Sequence, residues 1–389
     1  MSENLKSSDI KTEIIKAIEV SGPITFDRFM EICLYSPQNG FYSTRDHPIN
    51  KNFSTSSHVH DVFGGLLAVQ LEEMWRCLEK PREFYLLEIG CGDGSLARSI
   101  QRTIQISFPE FSKSLIHIAA DLSPVFTETS VLRNRIEPSR ETSLYDNIQK
   151  VVADGVKGFR DITGCIFSNE LIDNFPVHRF TKIDGSIQEI FTDFDGDRFY
   201  DILGNPSTPA IPRRLKKFEG FLPNGFRGEI NLRIDPWIEN LADTLSKGFI
   251  LTIDYGESRE KIYSSEFPNG TLTCFRQHLV NHEPYLFLGR QDITSHVDFT
   301  SLTNSGKKNG LTSLGYLSQK EFLTNLGFNN FLEELLTPLD GLSEAQIELR
   351  RIAMTSLVDP LQMGNFKVLI QCKNINYHAS LTGLMDKHS

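Results

Sequence analysis

Three glycines at alternate positions, Gly90, Gly92 and Gly94, follow an apolar run and an acid in "LLEIGCGDGSLARSI", residues 86 to 100. Glycines this close let a backbone turn tightly or approach a ligand where a Cβ would clash. The loop sits where a strand-like run gives way to an apolar-periodic stretch opening at Ser95, and open α/β sheets bind ligands at such junctions. No Gly-Lys-Ser/Thr follows, so a nucleotide-triphosphate loop is excluded. A dinucleotide fingerprint needs Gly-x-Gly-x-x-Gly, and here the third glycine comes one position early, with Ser95 in the next place. Glu88 and Asp93 flank the loop. Two carboxylates would repel a pyrophosphate and attract the ammonium and sulfonium of S-adenosylmethionine (SAM).

The pattern Glu-x-Gly-x-Gly-x-Gly resembles the first motif of class I SAM-dependent methyltransferases. The resemblance implies an acid at the end of the second strand for the adenosine ribose hydroxyls. Asp121, 27 residues beyond Gly94 and after "LIHIAA", stands in that position. An ionised carboxylate suits two vicinal hydroxyls because charged acceptors make the stronger hydrogen bonds. Asp154, after "KVVA", is a candidate for the adenine or an ordinary loop aspartate.

A second constellation lies in "CIFSNELIDNFPVHRF", which places Asn169, Glu170 and Asp173 just past a buried strand. If that strand is the fourth, its carboxyl end faces the methyl to be transferred. Carboxylates that pair with a guanidinium could localise its charge on one side and turn the free nitrogen toward the methyl. Glu170 and Asp173 are three apart, so a helical start would put them on one face. The other reading of Asn169 or Glu170 is a helix cap.

The elements that must hold these groups follow from periodicity. Residues 9 to 20 have helical spacing, with Ile10, Ile14, Ile15 and Ile18 on one face, and a second helix starts at Thr25. Residues 61 to 79 read as a helix with Asp61 as its N-cap. From Pro81 onward, continuous apolar runs such as "FYLLEIG", "LIHIAADLS", "CIFSNEL" and "GFILTIDYG" alternate with helical stretches. Such runs suit strands buried on both faces, the mark of a parallel sheet with helices on both sides. Between His178 and Tyr200, Asp184-Gly185 and Asp195-Gly196 punctuate β-rich runs, which predicts an antiparallel meander, and "GNPSTPAIPRR" reads as a linker. A C-terminal helix pair and the strand "FKVLIQC" complete the fold. The expected class is therefore α/β, a Rossmann-like sheet with an N-terminal helical region (1–80). The core halves (81–177 and 236–389) are split by a β-meander and linker (178–235).

Composition narrows the function classes. A net charge of −10 and a pI near 5.5 argue against nucleic acid as partner, and Arg213, Arg214, Lys216 and Lys217 read as a solvated face. The six cysteines form no Cys-x-x-Cys pair, and His58 and His60 lack a third ligand, so no metal is expected. No apolar run approaches the roughly 20 residues that span a bilayer. The N-terminal residues mix acids with lysines, unlike a secretory signal or an Arg-rich transit peptide, so the expected compartment is the cytoplasm.

In order along the chain, "GPITFDRFMEICLYSPQNGFYS", "FSTSSHVHDVFG", "LLEIGCGDGSLA", "DLSPV", "NELIDNFPV", "ILTIDYG", "GTLTCFRQH", "QDITSHVDFTSL" and "DPLQMGNFKVL" resemble the MidA-like methyltransferases, the group containing the mitochondrial complex I assembly factor 7 proteins. The resemblance implies a class I core, SAM as cofactor, and a protein arginine as acceptor, in eukaryotic members on a subunit of the respiratory NADH dehydrogenase. By position it implies SAM contacts at Glu88, Gly90, Gly92, Gly94 and Asp121, with Asn169 and Glu170 near the methyl. It also puts Gln291, Asp292 and His296 on the substrate side, where His296 is either a proton acceptor or a structural histidine. His58 stands where relatives carry a glutamate, and Cys91 where they carry a proline. Alternative functions are an assembly factor that keeps SAM as a structural ligand without turnover, or a methyltransferase acting on a different acceptor. Nothing in the sequence sets the oligomeric state.

Overall fold

The apolar runs become the strands of one seven-stranded sheet: β1 (Phe84–Ile89), β2 (Leu115–Asp121), β3 (Ile148–Val152), β4 (Ile162–Asn169), β5 (Leu245–Asp254), β6 (Thr312–Ser318) and β7 (Lys367–Lys373). The computed structural model describes residues 2–43, 60–122, 148–277, 279–336, 343–375 and 381–385. The order is β6-β7-β5-β4-β1-β2-β3. The strands β5, β4, β1, β2 and β3 run parallel, and toward one edge β7 pairs antiparallel with both β5 and β6. The chain steps outward from β1 to β3 and then returns to the other side of β1 for β4 and β5. That reversal is the topological switch point, where open α/β sheets place their ligand crevice beyond the strand carboxyl ends.

Helices α1 (Val62–Cys77) and α2 (Ser95–Ser107) belong to the same core as the sheet. Phe63, Leu66, Leu67 and Met74 of α1 and Leu96, Ile100 and Ile104 of α2 join Phe84, Leu86, Phe167 and Phe249 in one buried cluster. At roughly 1.5–3 kcal/mol for each fully buried large apolar side chain, this interface outweighs any local propensity. The start of α1 differs from expectation. Asp61 is itself in helical conformation and makes no side-chain cap bond. The Nδ1 of His60 accepts the Val62 N–H instead, at 3.1 Å.

The chain divides into two compact units, each assembled from three segments. The sheet unit takes residues 54–171, 237–255 and 303–389, and the other, the meander unit, takes 1–53, 172–236 and 256–302. This division cuts across the four contiguous segments expected from the sequence. Helix α1 belongs with the sheet because its apolar face is buried in that core, and residues 256–302 return to the meander unit. In the meander unit the predicted hairpins are present. Strands His178–Ile183, Ser186–Phe194 and Phe199–Gly204 pair antiparallel, with Asp184 and Gly185 both at positive φ in the first turn. The helix Ser2–Ser21 buries Ile10 and Ile14 in that unit's core. The helix Phe26–Tyr35 is capped by Thr25, whose hydroxyl accepts the Arg28 N–H. The expected linker is folded: Ala210–Leu215 is a short helix that buries Ile211 and Leu215. All six cysteines are free thiols.

Candidate active site

The glycine loop leaves β1 as the sequence predicts, and its shape explains its composition. Gly90, Gly92 and Gly94 have φ of 73°, 56° and 75°, a region that costs other residues strain. A Cβ on Gly90 would also lie 2.8 Å from Leu171 Cδ1. The loop is tied to β2 by three bonds. The N–H groups of Gly90 and Cys91 donate to the Ala120 carbonyl, and the Gly92 N–H donates to Asp121 Oδ2 at 2.9 Å. Asp121, at the carboxyl end of β2, is thus fixed beside the loop. Asp93 turns to local use: its carboxylate accepts the Ser95 N–H at the start of α2.

Glu88 lies within β1 and is 3% exposed, its Oε2 meeting Nε2 of His117 on β2 at 3.2 Å. The Cys91 thiol is pushed well up by burial and then by the nearby Glu88 and Asp121 charges, so it stays protonated at neutral pH and is not a nucleophile. Asp154, just past β3, is exposed and pairs with Lys157.

The second constellation splits. Asn169 ends β4, and Glu170 follows at φ 49°, a left-handed conformation uncommon for glutamate. The Asn169 amide donates to Glu170 Oε1 at 3.1 Å, and the Glu170 N–H donates to the Ile253 carbonyl at 2.9 Å. No α-helix begins here, so neither residue caps one, and Glu170 and Asp173 do not share a helical face. Only a 3₁₀ turn, Ile172–Asn174, follows, and it belongs to the meander unit. The left-handed Glu170 breaks the path a helix would need.

Asp173 is 3% exposed, and its carbonyl accepts the Ser295 N–H. Asn174 Nδ2 and Tyr42 Oη both donate to Asp292 Oδ1 at 2.9 Å, and Gln291 bonds the Glu283 and Pro284 carbonyls. Gln291 and Asp292, expected on the substrate side, are buried and hydrogen-bonded within the meander unit. Burial and the Asp292 charge push the Tyr42 phenol well up. His296 lines a small cleft of the same unit with Glu229, Thr271, Tyr263 and Asp298. Its ring meets Phe267 edge-on, and its N–H donates to Thr271 Oγ1. His58 lies outside the described residues.

The sheet unit therefore gathers Glu88, the three glycines, Asp121, Asn169 and Glu170 around the strand ends next to the switch point. Asp173 and His296 belong to the other unit. Sequence reading passed over Asp254, which ends β5, and His117. Both carried a signal: a polar residue in an otherwise apolar strand, in "ILTIDYG" and "LIHIAAD".

A parallel sheet with this strand order, a loop of left-handed glycines after β1 and a carboxylate ending β2 define a class I SAM-dependent methyltransferase. The chain belongs to the family described as "putative S-adenosyl-L-methionine-dependent methyltransferase", whose model matches residues 66–317. Among similar proteins, the Drosophila melanogaster "protein arginine methyltransferase NDUFAF7 homolog, mitochondrial" is 29% identical over 372 residues, 90% of this chain and 81% of its own. The Homo sapiens "protein arginine methyltransferase NDUFAF7, mitochondrial" is 28% identical, over 91% and 81% of the two chains. A likely methyl transfer enzyme from Burkholderia thailandensis, bound to S-adenosyl-homocysteine (SAH), superposes with a TM-score of 0.84 at 23% identity, covering 97% of this chain and 95% of that one. That likeness shows the fold. The cofactor is SAM, and the residues present fit it: a cradle that a Cβ would fill at Gly90, no phosphate-binding lysine in the loop, and a carboxylate placed for a ribose.

Proposed function

We propose that the chain transfers methyl groups from SAM to an arginine of a protein, with a subunit of the respiratory NADH dehydrogenase as the leading acceptor. The observation that carries this reading is the Asn169–Glu170 turn: an amide holding a carboxylate at the end of β4, beside the cofactor loop. A planar guanidinium matches a carboxylate bidentately, and Glu170 supplies one. The Asn169 carbonyl oxygen is buried and has no hydrogen-bond partner among the described residues, which suits an acceptor for an incoming N–H. The names of the relatives above support the arginine, and both describe those relatives as mitochondrial.

SAM, when bound, supplies an electrophilic methyl on a sulfonium. The chain's own residues align and polarise. Asp121 would hold the ribose side, and Glu170 would draw positive charge to one edge of the guanidinium so that the other nitrogen takes the methyl as the S–C bond breaks, leaving SAH and releasing the nitrogen's proton to solvent. Asp173 is buried in the meander unit, and His296 lines the cleft that Glu229 also lines.

Incubation with methyl-labelled SAM and a lysate of the source cell, followed by mass spectrometry, tests the reading. We expect label on an arginine, and a loss of roughly 100-fold or more in transfer for Glu170→Gln, the size typical of removing one transition-state contact. SAH affinity should stay within about threefold, since a 1.4 kcal/mol change would already be tenfold. Label on another residue type, or none from the wild type, sinks the proposal.

A further inference from the structure

The carboxylate of Asp254 ends β5 and is 1% exposed. Both of its oxygens accept backbone N–H groups. Oδ2 takes that of Leu171 at 3.1 Å and Oδ1 that of Tyr255 at 2.9 Å. Leu171 follows Glu170 directly, and its side chain lies against Gly90 of the cofactor loop. β4 and β5 are paired up to Asn169 and Ile253, and the Glu170 N–H extends that pairing by one bond to the Ile253 carbonyl. Glu170 is thus held on both sides of its left-handed φ: by β5 through its own N–H, and by Asp254 through the next one. Residues in sparsely populated backbone regions persist only where their surroundings over-determine them, and such positions cluster at functional sites.

We propose that Asp254 is a positioning residue for methyl transfer, clamping the Asn169–Glu170–Leu171 turn so that the Glu170 carboxylate stays aimed at the acceptor. The proposal rests on the role given to Glu170 above. A carboxylate is the fitting side chain because it offers two acceptor oxygens to two diverging N–H groups. Asparagine offers one oxygen and one NH₂, so one backbone N–H would face another donor.

The test combines kinetics with hydrogen exchange. Asp254→Asn should lower kcat about tenfold or more while the KM for SAM and the SAH dissociation constant stay within about threefold, as expected when a transition-state contact is misplaced and cofactor binding is not. With SAH bound, the Leu171 amide in this variant should exchange at least ten times faster than in the wild type. In the wild-type protein itself, the Leu171 and Tyr255 amides should be as slow as those of β4, although they lie past the strand ends. That measurement stands even if the variant fails to fold. An unchanged kcat, a parallel loss of kcat and SAH affinity, or loop-like exchange of Leu171 and Tyr255 in the wild type would each overturn the clamp. A wild type that transfers no methyl overturns the proposed function instead, and the exchange data then decide the clamp on their own.

Discussion

Asp121 carries two loads at once. Its Oδ2 holds the Gly92 N–H at 2.9 Å, and at the end of β2 it is the residue we propose as acceptor for the ribose hydroxyls. Asp121→Ala removes both, so the variant should bind SAH about 10- to 100-fold more weakly, about 1.4–2.8 kcal/mol, in line with hydrogen bonds to a charged acceptor. Isothermal titration calorimetry measures this, and an affinity within twofold of the wild type would refute the assignment. At this scale the sequence was readable where a residue type has few uses. Alternating glycines after a strand and an acid after the next strand have a restricted chemistry. It was less readable where an acid has local work to do. Glu88 and Asp93 were read as a field for a cationic cofactor; in the structure Glu88 faces His117 within the sheet and Asp93 accepts the Ser95 N–H. The count of charges near a loop does not tell which ones the protein itself uses.

Elements were legible in proportion to how much apolar surface fixes them. β1, β2, β4 and β5 follow continuous apolar runs, and tertiary burial backs each one. Helix starts depend on single dihedral angles, which propensity reports poorly. Aspartate is a common cap and histidine is not, yet His60 caps α1 because Asp61 already has helical angles. The same limit hid the turn after β4, since no pattern announces a glutamate at φ 49°. The His60 cap has a pH signature. Burial, and secondarily Arg350, lower the His60 pKa below its ordinary 6.5, while Asp61 partly opposes the shift. An imidazole whose pKa is lower folded than unfolded binds its proton more readily unfolded. The stability from this group is therefore complete above about pH 6.5 and is lost as pH falls toward the lowered folded value. Protonated Nδ1 also no longer accepts the Val62 N–H. His60→Ser keeps a capping oxygen without a titrating ring, so its melting temperature should fall less than the wild type's between pH 7.5 and 5.5. Equal slopes would show that His60 does not govern the start of α1.

At the scale of the whole chain, the two units interleave in sequence, and the crossings carry meaning. Two of the excursions into the meander unit leave just after Leu171 and just after Tyr255. Those are the residues whose amides Asp254 holds at the carboxyl ends of β4 and β5. The additions that distinguish this methyltransferase thus spring from the strand ends where ligands bind in open α/β sheets. A reading in contiguous blocks could not find this division, because pairing of β5 with β4, or of Ile24–Thr25 with Ser186–Phe194, depends on contacts far apart in sequence. The cofactor should stabilise the folded chain by mass action, about 2.7 kcal/mol at a hundred times its dissociation constant. With melting shifts of about 2–4 °C per kcal/mol for domains of 150–250 residues, saturating SAH should raise the melting temperature by several degrees. NAD should leave it unchanged, since its pyrophosphate would meet a loop that lacks the dinucleotide glycine spacing. Differential scanning fluorimetry with each ligand separates the two outcomes. A shift with NAD equal to that with SAH would mean that the early third glycine does not select the cofactor.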